Sequence, residues 1–192
     1  NEPDVSYHGV VYTEALGPAA FIGRARVVPL RNMGAAISPF NAWLTLQGIE
    51  TLPLRMDRIC DNTLALAKTL QSHPKVEWVR YAGLPDHPDH ALAQRQMGGR
   101  ASGILSFGLK GSDADPRAAG ARFLDALDLF TRLVNIGDAK SLATHPASTT
   151  HRQLDAAEMA KAGVSENMVR LSVGIEHIDD LQADLAQALD KV

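Results

Sequence analysis

Arg170 is the residue with the most chemical promise, because it interrupts a run of apolar residues between Met168 and Val173. A strand sends successive side chains to opposite faces, so we expect Val169 and Leu171 on one face and Arg170 and Ser172 on the other. On that face a guanidinium can offer a carboxylate a planar, permanently charged pair of donors. Taken alone, the pattern fits a solvated arginine better than a binding one.

A second candidate site is the polar loop from residue 135 to residue 151, which contains Ser141 and turns at Gly137. Loops at strand ends often carry binding residues. Exposed backbone N–H groups beside Ser141 could bind the second oxygen of an anion that Arg170 holds. An ordinary Ser/Thr-rich connection explains the same residues and is slightly favoured on this information.

The segment from Asp86 to His90 places imidazole and carboxylate groups close together, as a metal site would. It lacks a second ligand group at a recognised spacing, and its aspartates and proline also favour a helix start. We therefore expect no metal here.

The run from Gly98 to Gly103 and the single cysteine, Cys60, have similarly plain interpretations. A phosphate-binding glycine run should open a helix, whereas this one leads into a predicted strand, which favours a helix C-cap and turn. Cys60 falls among apolar residues of a predicted helix, with no histidine placed to activate it, so we expect it to pack.

Composition restricts the classes of partner. The 192 residues carry a net charge of −3 with scattered basic residues, which gives no electrostatic footprint for nucleic acid. One cysteine fits a reducing compartment, and no apolar run reaches the roughly 18 residues of a spanning helix. We expect a globular, cytoplasmic protein that acts on small molecules or protein partners. Because Asn1 is not preceded by methionine, we also expect part of a longer protein.

The elements that would position these residues begin with a long helix. Residues 1–37 hold many glycines and prolines, which predicts an arm that is only partly helical, around Thr13 to Ile22. Ser38-Pro39 is a typical helix start, and apolar spacing extends the predicted helix to residue 73 with a kink near Pro53.

After residue 74 the pattern alternates between strands and helices, which predicts an α/β domain with a small sheet. The predicted strands are 76–81, 103–109, 133–136 and 168–175. The predicted helices are 89–97, 116–130, 154–162 and 178–189, and a loop runs through Pro146.

Four segments together carry a family resemblance. They are Gly34 to Ala42, Gly48 to Leu52, Ser141 to Ala147 with Thr150-His151, and Val169 to Glu176. Over nearly its whole length the chain resembles the pyridoxal-phosphate enzymes of cysteine and methionine metabolism, most closely the O-acetylhomoserine sulfhydrylases.

The resemblance implies the C-terminal part of a fold-type I subunit. The expected fold is α/β: a small, mostly antiparallel sheet with helices packed on one face, preceded by a long linking helix. The expected domains are an arm and connector from the end of the large cofactor domain (1–37), a long interdomain helix (38–73) and a substrate-closing domain (74–192).

The resemblance also implies residue roles. The family arginine that matches Arg170 pairs with the substrate α-carboxylate, and the serine that matches Ser141 lines the same pocket, so the expected substrate-binding set is Arg170, Ser141, Leu142 and Thr150. The family lysine that holds pyridoxal phosphate lies in a Ser-x-Thr-Lys stretch that this chain lacks, and Lys140 lies in a different motif. We therefore expect neither a catalytic residue nor a covalently bound cofactor in this chain alone.

The implied reaction replaces the acetate of O-acetylhomoserine with sulfide or a thiol, giving homocysteine or methionine. The implied partners are the N-terminal pyridoxal-phosphate domain of the same protein and further copies in a dimer or tetramer. Lys140-Ser141-Leu142 differs from the Glu-Ser-Leu of many cystathionine synthases and lyases and resembles the sulfhydrylases instead. Cystathionine γ-synthase, cystathionine γ-lyase and methionine γ-lyase are the alternatives within the family. A non-catalytic amino-acid-binding regulatory module, or a structural interaction domain, is the alternative from another class.

Overall fold

The structure is a computed structural model, and it describes residues 1–110 and 115–192. These residues separate into two compact units, Asn1–Glu50 and Thr51–Val192. No helix among the described residues is both long enough and apolar enough to cross a bilayer.

The first unit is more helical than the sequence predicts. Its elements are a 3-10 turn (Val5–Tyr7), α1 (Tyr12–Leu16), a 3-10 turn (Gly17–Ala19), α2 (Ala20–Ala25), a π-helical stretch (Arg26–Leu30), α3 (Arg31–Met33) and α4 (Pro39–Glu50). The π-helical stretch contains Pro29, which has no N–H to donate to a regular helix. The predicted start of α4 is confirmed, since the Asn41 N–H donates to the Ser38 hydroxyl at 3.1 Å.

The second unit begins with α5 (Leu52–Gln71), so the single kinked helix predicted from residue 38 to residue 73 is two helices divided at Thr51. Pro53 lies in the first turn of α5, where a missing N–H costs no helical hydrogen bond. The proline therefore marks a helix start rather than a kink.

The remaining elements of the second unit alternate much as predicted. They are β1 (Val76–Arg80), α6 (His90–Met97), β2 (Ile104–Leu109), α7 (Pro116–Ala126), β3 (Thr131–Arg132), β4 (Leu142–Thr144), a 3-10 turn (Pro146–Ser148), α8 (Ala156–Lys161), β5 (Met168–Ser172) and α9 (Ile178–Asp190).

The five strands form one sheet in the order β1-β2-β5-β4-β3. Only β3 and β4 pair in parallel; the other three pairs are antiparallel, which confirms the predicted mostly antiparallel sheet. Strand β5, which carries Arg170, lies at the centre.

The third predicted strand is wrong. Residues 133–136 lie in an exposed loop after the two-residue β3, while the buried β4 lies where a loop was predicted. Leu133, Val134 and Ile136 are all more than half exposed. Their apolar side chains suggested a buried strand, but they are not buried in this unit. Three residues of β4 are too few to show a strand period.

One face of the sheet, the core face, packs under α5, α7 and α9. Its strand residues are Val79, Leu105, Phe107, Ala143, Val169 and Leu171. Burial of each large side chain of this kind stabilises the fold by about 1.5–3 kcal/mol. The predicted packing of helices on one face is thus confirmed, and the core fixes the direction of β5.

The opposite face, here called the Arg170 face, carries Arg80, Ser106, Arg170 and Thr144 in one row across four strands. Directly paired residues of antiparallel strands share a face, and their side chains are neighbours. The predicted alternation of β5 is confirmed: Val169 and Leu171 are fully buried in the core, whereas Arg170 is half-buried on the other side.

The connection from α7 to β3 is held by a buried carboxylate of α9. Asp184 accepts the backbone N–H groups of Asp128, Leu129 and Phe130 at 2.8, 2.9 and 3.0 Å. Burial alone would raise the pKa of Asp184, but these bonds and one from Gln187 outweigh it, and the pKa lies below its usual value.

Candidate functional site

The Arg170 guanidinium has one hydrogen-bond partner in the part of the chain that the structure describes. Its Nη2 donates to the carbonyl oxygen of Asn135 at 3.3 Å. No ion pair joins it to a carboxylate of the described residues. Because a guanidinium carries five N–H donors in a fork, most of its capacity to bind an anion is left for a ligand.

Ser141 is fully buried, and its own donors are already engaged. Its N–H donates to Glu176 Oε1 at 2.6 Å and its hydroxyl to Glu176 Oε2 at 2.9 Å. The hydroxyl oxygen in turn accepts the Gly174 N–H at 2.8 Å. That Ser141 lines a substrate pocket stays a prediction, but a contribution to that pocket would come from its position and not from these donors.

The backbone N–H groups expected to be exposed beside Ser141 are also engaged. The Lys140 N–H donates to Asp138 Oδ1 at 3.1 Å, and Leu142 is buried in β4 between β3 and β5. The backbone here is therefore closed by its own loop and sheet, and the donors that face an anion belong to Arg170.

Of the other two predicted residues, Leu142 lies in β4, the strand that pairs with β5, and Thr150 lies outside the sheet. Leu142 pairs with Ser172 on the Arg170 face, which brings it beside the predicted site. Thr150 lies in a turn after the 3-10 segment, and its hydroxyl is 2.8 Å from His151 Nδ1. The sheet thus brings Leu142 to the face that carries Arg170, whereas Ser141, one residue earlier, is buried against Glu176. The substrate-binding roles of Arg170, Ser141, Leu142 and Thr150 stay predictions.

The start of the polar loop that the sequence predicted as a candidate site borders Arg170, together with two residues before it. Residues 133–140 carry three exposed apolar side chains, Leu133, Val134 and Ile136, and this loop also supplies the Asn135 carbonyl. It is held at Leu133, whose carbonyl oxygen accepts the Thr144 hydroxyl at 3.1 Å, and at Ala139, whose carbonyl oxygen accepts the Ile175 N–H at 3.0 Å.

In the segment from Asp86 to His90, the side chains of Asp86, His87 and His90 make hydrogen bonds within the protein. The Asp89 N–H donates to His87 Nδ1 at 3.1 Å, and Asp86 accepts from Gln71. His90 Nδ1 contacts the Ala82 carbonyl oxygen at 3.0 Å. Across the described ranges, no three His, Cys, Asp or Glu residues are placed to hold a metal ion.

The other two minor candidates behave as structural residues. Gly98 ends α6 in the left-handed conformation, which confirms the predicted C-cap. Cys60 is buried in α5, and burial raises the pKa of its thiol, the opposite of what activates a cysteine nucleophile.

The resemblance implies pyridoxal phosphate, which the family holds through a lysine, so the surroundings of the lysines in this chain bear on that cofactor. All six lysines lie in the described ranges, and five are exposed. The sixth, Lys75, donates its Nζ to the carbonyl oxygens of Leu189 and Asp190 at the end of α9. No hydrogen bond of the described residues joins a lysine side chain to Arg170, and the expectation that this chain alone holds no covalent cofactor stays a prediction.

Comparison with known proteins identifies the family of the chain. The family model described as Cys/Met metabolism PLP-dependent enzyme matches residues 7–190. The chain is 52% identical to an O-acetyl-L-homoserine sulfhydrylase of Thermus thermophilus over 98% of its length, and 48% identical to that of Corynebacterium glutamicum over 95%. It spans only 44% and 41% of those relatives, less than half of each.

Solved structures show the same coverage. An O-acetylhomoserine (thiol)-lyase structure from Campylobacter jejuni, with N'-pyridoxyl-lysine-5'-monophosphate, matches 99% of this chain and 44% of its own, with a TM-score of 0.82 and 41% identity. A cystathionine gamma synthase from Xanthomonas oryzae, in complex with cystathionine, matches 83% of this chain with a TM-score of 0.73 and 41% identity.

Proposed function

Because the chain belongs to the Cys/Met metabolism PLP-dependent enzyme family, we propose that it is the substrate-closing, C-terminal part of an O-acetylhomoserine sulfhydrylase. The proposed reaction replaces the acetate of O-acetylhomoserine with sulfide or a thiol, in methionine biosynthesis. The named activity of the relatives supports it.

The proposal rests mainly on one observation, the lack of a carboxylate partner for Arg170 among the described residues. Arg170 is a half-buried residue of the central strand β5, its guanidinium is exposed where it contacts Asn135, and no described carboxylate neutralises it. Because the guanidinium is accessible and keeps most of its donors, it can pair with an anionic ligand. The substrate α-carboxylate has that charge and the geometry for two parallel hydrogen bonds.

The chain's part in the reaction is orientation. Bound pyridoxal phosphate supplies the electron sink of the reaction. A carboxylate held by Arg170 limits rotation about the bond to the α-carbon, which sets the bond that is aligned for cleavage. The central position of β5, with paired strands on both sides, fixes the backbone from which the Arg170 side chain extends.

The apolar loop beside Arg170 supports a second function for this surface. Leu133, Val134 and Ile136 would exclude water from the ion pair when covered, and a lower local dielectric strengthens such a pair. The covering partner that we propose is the N-terminal pyridoxal-phosphate domain of the same protein. A dimer or tetramer and a cytoplasmic location also belong to the proposal.

The decisive experiment is an assay of the complete protein with O-acetylhomoserine and sulfide, in which homocysteine and acetate are measured. We expect stoichiometric formation of both products. Replacing sulfide with cysteine tests the cystathionine alternative, because cystathionine would then form. Binding of amino acids without any product would favour a regulatory module and refute the proposed reaction.

A further inference from the structure

Glu176 is a glutamate whose carboxylate is used within the protein, at the edge of the proposed substrate site. Its two oxygens accept the N–H and the hydroxyl of Ser141 at 2.6 and 2.9 Å. The Ser141 hydroxyl accepts the Gly174 N–H at 2.8 Å. These three residues, here called the Glu176 clasp, join the end of the loop 133–140 to the segment after β5.

The clasp leaves no space for a side chain at Gly174. A Cβ there would collide with the carbonyl oxygen of Ala139 and with the Glu176 carboxylate. The loop therefore lies directly on the Gly174 backbone, and the hydrogen bond from the Ile175 N–H to the Ala139 carbonyl oxygen continues this contact.

The clasp is fixed to the core through α5. Asn62 is buried, and its Nδ2 donates to the carbonyl oxygens of Gly174 and Glu176 at 3.1 and 3.0 Å. A buried amide with both donors satisfied holds its partners in one geometry. Through Asn62, the segment that contacts the end of the loop is held to α5, the helix that also packs on the core face of the sheet.

The middle of the loop reaches Arg170. Residues 135–137 are exposed, so burial does not hold them, and the Asn135 carbonyl oxygen is the described partner of the Arg170 guanidinium. Thr144 holds the loop at Leu133, the Ile175 N–H holds it at Ala139, and the clasp holds Ser141, the residue that follows the loop. Release of the clasp would let the Asn135 carbonyl move away from the guanidinium.

We propose that Glu176 is a positioning residue that orients Arg170 for the substrate carboxylate through the loop 133–140. This inference rests on the proposed function. Glu176 does not touch the substrate; its effect passes through the clasp and the Asn135 carbonyl. Loss of the clasp should therefore weaken binding of the carboxylate more than it slows the later chemical steps.

The test is a double-mutant cycle in the complete enzyme with O-acetylhomoserine and sulfide. Glu176→Ala should raise the KM for O-acetylhomoserine about tenfold and change kcat less than about twofold, as expected for a misplaced binding group. In an Arg170→Lys background the same substitution should raise KM less than about twofold, because coupled residues are not additive.

Two further variants separate positioning from general damage. Glu176→Gln keeps an oxygen for the Ser141 N–H and an amide that can donate to the Ser141 hydroxyl, so KM should return to within about threefold of wild type. Asp180→Ala removes an exposed carboxylate four residues away and should leave both constants unchanged. If Glu176→Ala does not fold, Glu176→Asp, which is one methylene shorter, replaces it in the cycle.

The outcomes are distinct. An unchanged KM in Glu176→Ala, or an equal KM increase in the wild-type and Arg170→Lys backgrounds, would overturn the inference while the proposed function stands. A wild-type enzyme that makes no homocysteine would overturn the proposed function, and the inference with it.

Discussion

Replacement of Arg170 by lysine should sharply reduce kcat/KM for O-acetylhomoserine. A lysine ammonium offers one point contact where the guanidinium offers two parallel bonds, and it cannot keep the Asn135 contact in the same geometry. Removal of one partner from a desolvated ion pair costs about 2–5 kcal/mol. Because Arg170 is half-buried and a positive charge remains, we expect about 2–4 kcal/mol, a loss of roughly 30- to 900-fold in kcat/KM.

Steady-state kinetics of the complete enzyme at several substrate concentrations would measure this loss. Arg80→Lys is the matched control, because Arg80 lies in the same row on the edge strand β1 and its guanidinium stacks on Trp78, 4.8 Å from the ring centroid. It should change kcat/KM less than about twofold. Unchanged kinetics in Arg170→Lys would remove Arg170 from the substrate site and refute the argument from its missing partner.

Three other predictions concern stability of the chain, measured by urea unfolding. Asp184→Asn should destabilise it by about 2–4 kcal/mol, because an amide replaces one of two oxygens that together accept three backbone N–H groups; a loss under about 0.5 kcal/mol would contradict this. Ser172→Ala should be neutral or stabilise by up to about 1 kcal/mol, since the buried Ser172 hydroxyl has no partner among the described residues; a clear destabilisation would show an unseen bond. Burial lowers the pKa of His145 below 6.5, so the unfolded chain binds more protons and stability should fall as the pH drops below 6.5. His145→Gln should lose less stability than wild type between pH 7.5 and 5.5, and equal losses would assign the pH dependence to other groups.

Much of the fold could be predicted from local pattern. Strand β5 follows strict alternation, and α5, α7 and α9 have apolar spacing that matches their buried faces. The errors fall where local pattern and burial disagree. The apolar residues 133–136 are exposed in this chain, whereas β4 is short and owes its strand state to pairing with β5. Such pairing is a tertiary effect that no local window contains.

The site could be predicted only in part, for a related reason. Arg170 could be predicted as a candidate because it is a charged residue within an otherwise apolar strand pattern. Glu176 lay inside a segment that supported the family resemblance, yet no spacing rule connects it to Ser141, 35 residues earlier. A carboxylate that satisfies buried donors and one that binds a ligand look alike in a sequence, and only the partners distinguish them.

The distribution of satisfied polar groups explains why Arg170 dominates this site. In the segments that flank β4 and β5, the donors of Ser141, the Lys140 N–H and the amide of Asn62 all have acceptors within the protein. Buried polar groups need such partners, so this framework is complete without a ligand. The Arg170 guanidinium, by contrast, has no carboxylate partner among the described residues. This contrast is the reason that the proposed function gives Arg170 the role of holding and orienting an anion, and assigns no proton transfer to the residues around it.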